Sequence, residues 1–304
     1  MSAYGVVDLG SNTVRLVVYE VDGRRKRGSR RFRELVDDKV MAGLAAHVAD
    51  GVFQPSGIKR AASVVRRHLR LASVLGCDRV DVFATAVLRN CENSEQAVEA
   101  LQRRVQAPVH LLSARDEAHL GFVGATIDRP ADDATLVDMG GGSTELVRVE
   151  GGRDVDEVSL GQGSLSSYAA HVSRVLPTPG EVDAIQDELS RRLRALPDPD
   201  RYRARHLLAI GGSVRAVAKV LAELRGSPRA KTLSRDDVEE VLDLLRRDPD
   251  AFAHATVRCV PVRIHTVGTG CAMYARLMDE LGADDIEIRQ HGVREGYLVE
   301  RMLG

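Results

Sequence analysis

Aromatic residues are scarce in this sequence, which contains no tryptophan and only 4% Phe, Trp and Tyr in total. Modules that bind single-stranded nucleic acid stack bases on aromatic side chains, and no nucleic-acid-binding motif occurs in the chain. Cysteine is also rare. The four cysteines lie far apart and form no C-x-x-C pair. We therefore expect reduced thiols, neither a disulfide framework nor a zinc site, and no nucleic acid as a partner.

Long apolar runs are missing as well. No stretch approaches the roughly 18 uninterrupted apolar residues that a membrane-spanning helix needs. The N-terminal segment MSAYGVVDLG lacks the basic and apolar regions of a signal peptide. These absences predict a cytoplasmic protein that does not interact with membranes. The formal net charge of −1 indicates no particular partner, and 304 residues suffice for two domains of roughly 150 residues each.

Glycine-rich turns between apolar strands are what the sequence does contain. VVDLGSNTVRLVV around Asp8 and LVDMGGGSTELVR around Asp138 share the order strand, Asp, any residue, Gly, small and polar residues, strand. The two aspartates are 130 positions apart, and a repeat at domain length predicts two similar domains that face each other. A third glycine turn, AIGGSV, begins at residue 209.

Such turns are suited to holding an anion. Successive backbone N–H groups point outward from a tight turn, glycine lets them approach closely, and Ser, Thr or Asn side chains add donors. An aspartate at the end of the preceding strand can hold a hydrated divalent cation. Residues 10–13 and 140–144 are therefore expected to bind phosphate, with Mg²⁺ in the cleft between the domains. A glycine turn can also be a plain hairpin, and a turn aspartate can bond its own backbone, but three turns favour phosphate.

Other glycine and histidine motifs do not match. A P-loop requires Gly-Lys-Ser/Thr at the start of a helix, and that tripeptide does not occur. A dinucleotide-binding fingerprint requires a helix after its glycines, whereas residues 144–149, TELVRV, have the pattern of a strand. The nine histidines include no H-E-x-x-H pair, so we expect them to be structural.

The order of predicted elements is that of an α/β protein. Helical periodicity covers residues 57–76, with Ser56 placed to cap the helix, and Thr178 and Glu181 form a capping box before another helix. A further helix is expected to begin at Ser234 and to end before Pro249. Residues 127–134 are the predicted linker between the two halves.

Six stretches resemble the motifs of the exopolyphosphatase/guanosine pentaphosphate phosphohydrolase (Ppx/GppA) family, and they occur in the same order as the family's motifs. They are the Asp8 and Asp138 turns, ATAVLRNCEN (84–93), LLSARDEAHLGFVGA (111–125), AIGGSVRAV (209–217) and GVREGYL (292–298). The resemblance implies an α/β fold of two actin-like (ribonuclease H-like) domains, each with a mixed β-sheet flanked by helices, and an active site in the interdomain cleft. The implied domains are residues 1–125 and 126–304, with the helix at about 292–304 packed back on the first.

The resemblance implies a phosphoric anhydride hydrolase, an exopolyphosphatase that releases terminal orthophosphate from inorganic polyphosphate with Mg²⁺ or Mn²⁺. Guanosine pentaphosphate is the alternative substrate, with the tetraphosphate as its product. A homodimer is the family expectation. Because the chain stops at residue 304 and lacks the helical C-terminal domains of longer members, we expect short polyphosphates to be preferred. An ATP-dependent actin-like ATPase or kinase, and a silent sensor of polyphosphate or alarmone, stay open as other classes.

The resemblance also suggests roles for particular residues. Glu117 matches the family's catalytic carboxylate, although a carboxylate in the first turn of a helix can simply be solvated. Glu145 is the rival acid or base, or a carboxylate that supports the metal ligands. Asp138 and Asp8 are the expected metal ligands. Arg89 is expected to clamp phosphate, with an ordinary surface arginine as the alternative. The other expected phosphate-binding residues are Ser11, Asn12, Thr13, Gly141, Gly142, Ser143, Thr144, Gly212 and Ser213.

The chain departs from the family pattern at two signature positions, where Ala114 and Asp116 replace the usual Gly and Glu. A basic run at residues 23–33, GRRKRGSRRFR, holds seven basic residues and no acidic one. Such runs are commonly solvated hairpins. A basic track also attracts a linear polyanion such as polyphosphate, so both interpretations stay open.

Overall fold

The computed structural model describes residues 2–22 and 32–304. The chain up to Glu117 together with Arg294–Gly304 forms one compact unit, unit 1, and Ala118–Val293 forms a second, unit 2. Each unit has its own mixed β-sheet with helices. No helix among the described residues combines the length and apolar content needed to cross a bilayer.

Unit 1 is built from short elements around one sheet. Its strands are β1 (Ser2–Leu9), β2 (Thr13–Val21), β3 (Phe32–Met41), β4 (Val48–Ala49), β5 (Val52–Phe53), β6 (Arg79–Ala84) and β7 (His110–Leu111). Its helices are α1 (Pro55–Val74), α2 (Ala86–Arg89), α3 (Ser94–Val105), the first turn of α4 (Ala114–Thr126), and α11 (Val293–Tyr297), which continues as the π-helical turn Leu298–Met302. The sheet order is β3-β2-β1-β6-β7, with β1, β2 and β3 antiparallel and β6 parallel to β1.

The two faces of this sheet are covered differently. Alternate residues of the hairpin, Val7 on β1 and Leu16 and Val18 on β2, are buried in a core shared with α1 and α3, as the period of two in a strand requires. On the other face Tyr297, next to the end of the chain, stacks on Phe83 of β6 with ring centroids 5.1 Å apart.

The start of α1 differs from the sequence-based expectation. The helix begins at Pro55, with Gln54 at the cap position and no side-chain cap. The Ser56 hydroxyl lies 2.9 Å from Nδ1 of His47 instead, so the prediction that Ser56 caps the helix is wrong. Proline at the first helical position has the φ angle that a helix needs and no N–H to satisfy, so Pro55 sets the start.

Unit 2 repeats the arrangement of unit 1. Its strands are β8 (Asp133–Met139), β9 (Thr144–Glu150), β10 (Arg153–Leu160), β11 (His206–Ile210), β12 (Thr232–Ser234) and β13 (Asp285–Ile288). Its helices, besides the rest of α4, are α5 (Ser164–His171), α6 (Pro179–Arg194), α7 (Gly212–Arg225), α8 (Arg235–Arg247), α9 (Pro249–Cys259) and α10 (Val267–Leu281). The sheet order is β10-β9-β8-β11-β13-β12, with β8, β9 and β10 antiparallel and β11 parallel to β8. The strands β8 to β11 thus match β1, β2, β3 and β6.

Helix caps in unit 2 follow the sequence signals closely. The Glu181 carboxylate accepts from the Thr178 amide at 2.8 Å, and the Thr178 hydroxyl accepts from the Glu181 amide at 3.3 Å, which confirms the capping box of α6. Helix α8 begins after its cap, Ser234, as predicted. Pro249 follows α8, but it is also the first residue of α9, whose cap is Asp248; α9 was not among the predicted helices.

Candidate active site

Both predicted phosphate turns close in the same way. The Gly10 amide donates to the Thr13 carbonyl at 3.0 Å between β1 and β2, and the Gly140 amide donates to the Ser143 carbonyl at 3.0 Å between β8 and β9. Each bond joins positions three apart and starts at the first glycine after the aspartate. The two turns therefore repeat in backbone geometry as well as in sequence.

In unit 2 the carbonyl groups of the turn are bound by the start of α5. The Ser164 amide donates to the Gly140 carbonyl at 3.0 Å, and the amides of Leu165 and Ser166 both donate to the Gly141 carbonyl at 2.9 Å. The first N–H groups of a helix have no partner within it. The turn supplies acceptors for them, and α5 in return fixes the direction of the turn's peptide groups.

In unit 1 the segment after β3 has the same role. The amides of Ala42 and Gly43 donate to the Asn12 carbonyl at 3.0 and 2.9 Å, and the Ala45 amide donates to the Ser11 carbonyl at 2.8 Å. Different elements thus bind the carbonyl side of each turn, although the turns themselves are copies.

The amide side of each turn is left for an external acceptor. Within the part of the chain that the structure describes, the backbone N–H groups of Ser11, Asn12, Gly141 and Gly142 donate to no protein group. Consecutive outward amides form a concave, partly positive surface that binds oxyanions. Each turn can therefore bind a phosphate group through its backbone.

The third glycine turn brings a carboxylate and a guanidinium against the start of α7. Gly211 has a φ of 94°, and a Cβ added to it would lie 3.0 Å from Oδ1 of Asp138. A Cβ on Gly212 would lie 1.9 Å from Nη2 of Arg263. The positive φ of Gly211 favours glycine there, whereas a side chain at Gly212 would require the Arg263 guanidinium to move. Asp138, the backbone of this turn and Arg263 are therefore in direct proximity within unit 2.

Several predicted phosphate-binding side chains point their hydroxyl groups inward. Ser143 donates to Oε1 of Glu145 at 2.7 Å, and Thr144 donates to the Gln162 carbonyl at 2.7 Å. Ser213 donates to the Met139 carbonyl at 3.2 Å. All three residues are buried. These hydroxyls stabilise the loops, so a phosphate at this place would be bound chiefly by backbone groups.

Glu145 lies in the interior of unit 2, with 2% of its surface exposed. Its Oε1 accepts hydrogen bonds from the hydroxyls of Ser143 at 2.7 Å and Ser159 at 2.9 Å. A carboxylate held in this way is suited to fixing the turn that precedes it. The arrangement offers little access for a water molecule.

Glu117 and Arg89, two separately predicted site residues, form an ion pair. Nη1 of Arg89 lies 2.6 Å from Oε2 of Glu117 and also donates to the Leu112 carbonyl at 3.2 Å. Only 15% and 12% of the two side chains are exposed. Ser113 caps the first turn of α4 by accepting from the Asp116 amide at 2.9 Å, which fixes the helix start from which Glu117 projects.

Asp8, near the end of β1, also has a cationic partner. Nη1 of Arg294 on α11 lies 2.8 Å from its Oδ2. Burial raises the pKa of Asp8, and the neighbouring guanidinium of Arg294 offsets only part of this effect. Burial disfavours the charged form of Arg294, but the carboxylates of Glu295 and Asp8 outweigh it and raise the pKa of Arg294.

The carboxylates fit a magnesium site of the kind completed by a substrate. Among residues 2–22 and 32–304, no three His, Cys, Asp or Glu side chains are grouped so that they could hold a metal ion. Mg²⁺ is commonly bound by one or two carboxylates, several waters and substrate phosphates rather than by a protein cage. Asp138, partly exposed beside two glycine turns, has the ligand type and the surroundings for this.

Residues 23–31, most of the basic run at residues 23–33, are not among the residues that the structure describes. Arg33 is described, and its guanidinium pairs with Glu20 at 2.9 Å. Neither interpretation of the run is decided by this one pair.

Residues 21–304 match the family model of the Ppx/GppA phosphatase family. The chain belongs to the Ppx/GppA phosphatase family. The structure resembles a Ppx/GppA family member from Aquifex aeolicus, with a TM-score of 0.79, 20% sequence identity and coverage of 99% of this chain and 98% of that one. It also resembles an exopolyphosphatase from Cytophaga hutchinsonii, with a TM-score of 0.85, 18% identity and coverage of 100% and 98%.

These similarities confirm the predicted fold class, which is the two-domain actin-like α/β fold of the Ppx/GppA family. The placement of the active site between the domains stays a prediction. Within unit 1 the structure brings Arg89 to Glu117, and within unit 2 it brings Asp138 to Gly211. Arg263 was not among the predicted site residues, because a lone arginine shortly before the glycine turn VGTG is a weak signal.

Proposed function

We propose that this Ppx/GppA phosphatase is an exopolyphosphatase, which removes the terminal orthophosphate of inorganic polyphosphate with the help of Mg²⁺ or Mn²⁺. The observation that carries the proposal is the pair of copied turns, each with its carbonyls bound by neighbouring amides and its own amides left for an oxyanion. Ser11, Asn12 and Thr13 in unit 1 and Gly141–Thr144 in unit 2 are the proposed phosphate-binding positions. Backbone donors suit a substrate made only of phosphate units.

Glu117 is the proposed base for the attacking water. A water oxygen attacks the terminal phosphorus, Glu117 accepts a proton from that water, and the bridging oxygen leaves with its electron pair on the shortened chain. The products are orthophosphate and a polyphosphate one unit shorter. Arg89, 2.6 Å from Glu117, holds the carboxylate in a fixed position.

Glu145 is the weaker candidate for the base. Its burial and the two hydroxyl groups that bond to one of its oxygens support a role in holding the 140–144 turn. A base must reach the water that it activates, and Glu117 is the more exposed of the two carboxylates.

Asp138 is the proposed metal ligand, whereas Asp8, the other expected ligand, is paired with Arg294. Bound Mg²⁺ supplies positive charge against the negative charge that develops on the transferred phosphoryl group. Gly212, Ser213 and Arg263 are proposed to add donors beside Asp138, because the guanidinium lies against Gly212 at the start of α7. Arginine forms paired hydrogen bonds with phosphate oxygens.

The test is phosphate release from tripolyphosphate and from longer polyphosphate, with and without Mg²⁺, for the wild type and for Glu117→Gln. We expect Mg²⁺-dependent release that falls on the order of 10²- to 10⁴-fold in Glu117→Gln. Asp116→Asn, which changes the adjacent carboxylate on the same helical turn, is the matched control and should have a small effect. Full activity of Glu117→Gln would show that Glu117 is not the base, and Glu145 would then be the next candidate.

Guanosine pentaphosphate is the second candidate substrate, because the family hydrolyses the same type of bond in both molecules. Measuring kcat/KM on both substrates under one set of conditions decides between them. A higher value for guanosine pentaphosphate would replace the proposal. ATP turnover without release from either substrate would instead favour an actin-like ATPase.

A further inference from the structure

The chain end forms part of the surroundings of Asp8. Residues 294–301 bond through four side chains to separate parts of unit 1: Arg294 to Asp8 on β1, Glu295 to Tyr19 on β2, Tyr297 to Asp81 on β6, and Arg301 to Asp116 on α4. Such a set fixes the position of α11 on the sheet. The segment lies 286 residues from Asp8 in sequence.

The contact between Arg294 and Asp8 is short and shielded. Nη1 and Oδ2 are 2.8 Å apart, and 19% and 20% of the two side chains are exposed. Arg15 stands directly opposite Asp8 in the β1–β2 register, but its guanidinium is bonded to Asp37 on β3. Arg294 is therefore the cation that the fold directs to Asp8.

The neighbouring residue holds Arg294 in place. The Tyr19 hydroxyl donates to Oε1 of Glu295 at 2.5 Å, and Glu295 is buried. Two adjacent residues of α11 are thus bonded to two adjacent strands. This leaves Arg294 little freedom to move away from Asp8.

A divalent cation on Asp8 would face the Arg294 guanidinium across a single carboxylate. The cation and the guanidinium, both positive and both next to the same carboxylate, would repel each other strongly where solvent is largely excluded. Asp138 has different neighbours, namely the glycine turns of unit 2. The two aspartates, although they occupy equivalent places in the repeat, are in different electrostatic environments.

We propose that Arg294 is a positioning residue, which holds the Asp8 carboxylate beside the 10–13 turn and provides the positive charge there, so that Asp8 adds nothing to metal affinity. This inference rests on the proposed function, since it concerns the orientation of the same phosphate turn. Asp138 then carries the protein's contribution to metal binding. The two aspartates of the sequence repeat therefore have different chemical roles.

The first experiment measures Mn²⁺ binding by electron paramagnetic resonance, without turnover, in the full-length Glu117→Gln protein and its variants. Asp8→Asn should leave the Kd for Mn²⁺ within about twofold, whereas Asp138→Asn should weaken it on the order of tenfold or more. Equal weakening by both substitutions overturns the proposal.

The second experiment follows kcat and KM for phosphate release. Arg294→Ala should lower kcat on the order of 10²-fold, as a misplaced active-site group does, and added guanidinium ion at millimolar concentration should restore part of it. Arg301→Gln, in the same segment but 48% exposed, is the matched control. If guanidinium restores nothing in a folded Arg294→Ala protein, the positioning role is refuted.

Folding is monitored separately, because Arg294→Ala leaves Asp8 without its partner. The neutral pair Asp8→Asn with Arg294→Gln avoids an unpaired buried charge, and it should unfold closer to the wild type than Arg294→Ala does. If the wild type releases no phosphate from any substrate, the proposed function fails. The Mn²⁺ affinities and the unfolding comparison then still decide whether Arg294 positions Asp8.

Discussion

Replacing Arg89 by glutamine is expected to destabilise unit 1 through the charge left on Glu117. Breaking a fully buried ion pair by removing one partner costs about 3–5 kcal/mol, whereas exposed pairs contribute about 0–1 kcal/mol. With 15% and 12% of the side chains exposed and 2.6 Å between the charged atoms, this pair lies between these limits. We expect a loss of about 2 kcal/mol for either single substitution to glutamine.

The double substitution Arg89→Gln with Glu117→Gln is the decisive variant. It removes both charges, so the free energy of unfolding should fall by about as much as in one single variant, with a coupling of about 1–2 kcal/mol. Urea unfolding followed by hydrogen exchange of the α2 and α4 peptides measures this locally, because a chain of two compact units need not unfold in one transition. Additivity within about 0.5 kcal/mol would refute the reasoning.

Three other substitutions test the local geometry. Gly212→Ala places a Cβ 1.9 Å from Nη2 of Arg263, so the guanidinium must move, and KM for polyphosphate should rise several-fold in steady-state kinetics. Gly163→Ala places a Cβ 2.6 Å from the Ser143 amide nitrogen; thermal unfolding should show a clear loss of stability, and an unchanged melting temperature would contradict this packing. Hydrogen bonds from the Thr178 backbone, opposed by slight desolvation, lower the pKa of Glu181 from 4.5 to about 2. A lowered native pKa stabilises the folded state above about pH 4.5 and ceases to do so as the pH falls towards 2. Glu181→Ala should therefore cost about 1 kcal/mol at pH 7 and much less near pH 2 in denaturant titrations.

Features encoded within a few residues of one another were predictable from the sequence. The aspartate–glycine turns around Asp8 and Asp138 and the capping box of Thr178 and Glu181 depend on local backbone chemistry, so their patterns identified them. Pro249 shows the limit of such signals, because a proline that follows one helix can begin the next. Its role depends on Asp248, which caps α9.

Pairings between distant segments could not be predicted in this way. Arg89 and Glu117 were both selected as site residues, but their contact depends on how α2 and α4 lie in the fold. The Arg294–Asp8 pair joins residues 286 positions apart, and no periodicity or spacing indicates such a partner. Burial of Glu145 between two hydroxyls is likewise a property of the folded sheet.

The dependence of each phosphate turn on a separate neighbouring segment has a consequence for engineering. Residues 42–45 hold the turn in unit 1, and residues 164–166 hold the turn in unit 2. Changes in either segment can tilt the peptide groups of one turn while the copied turn sequence and the other turn stay as they are. Libraries restricted to these two short segments therefore give independent control over the two similar anion-binding turns.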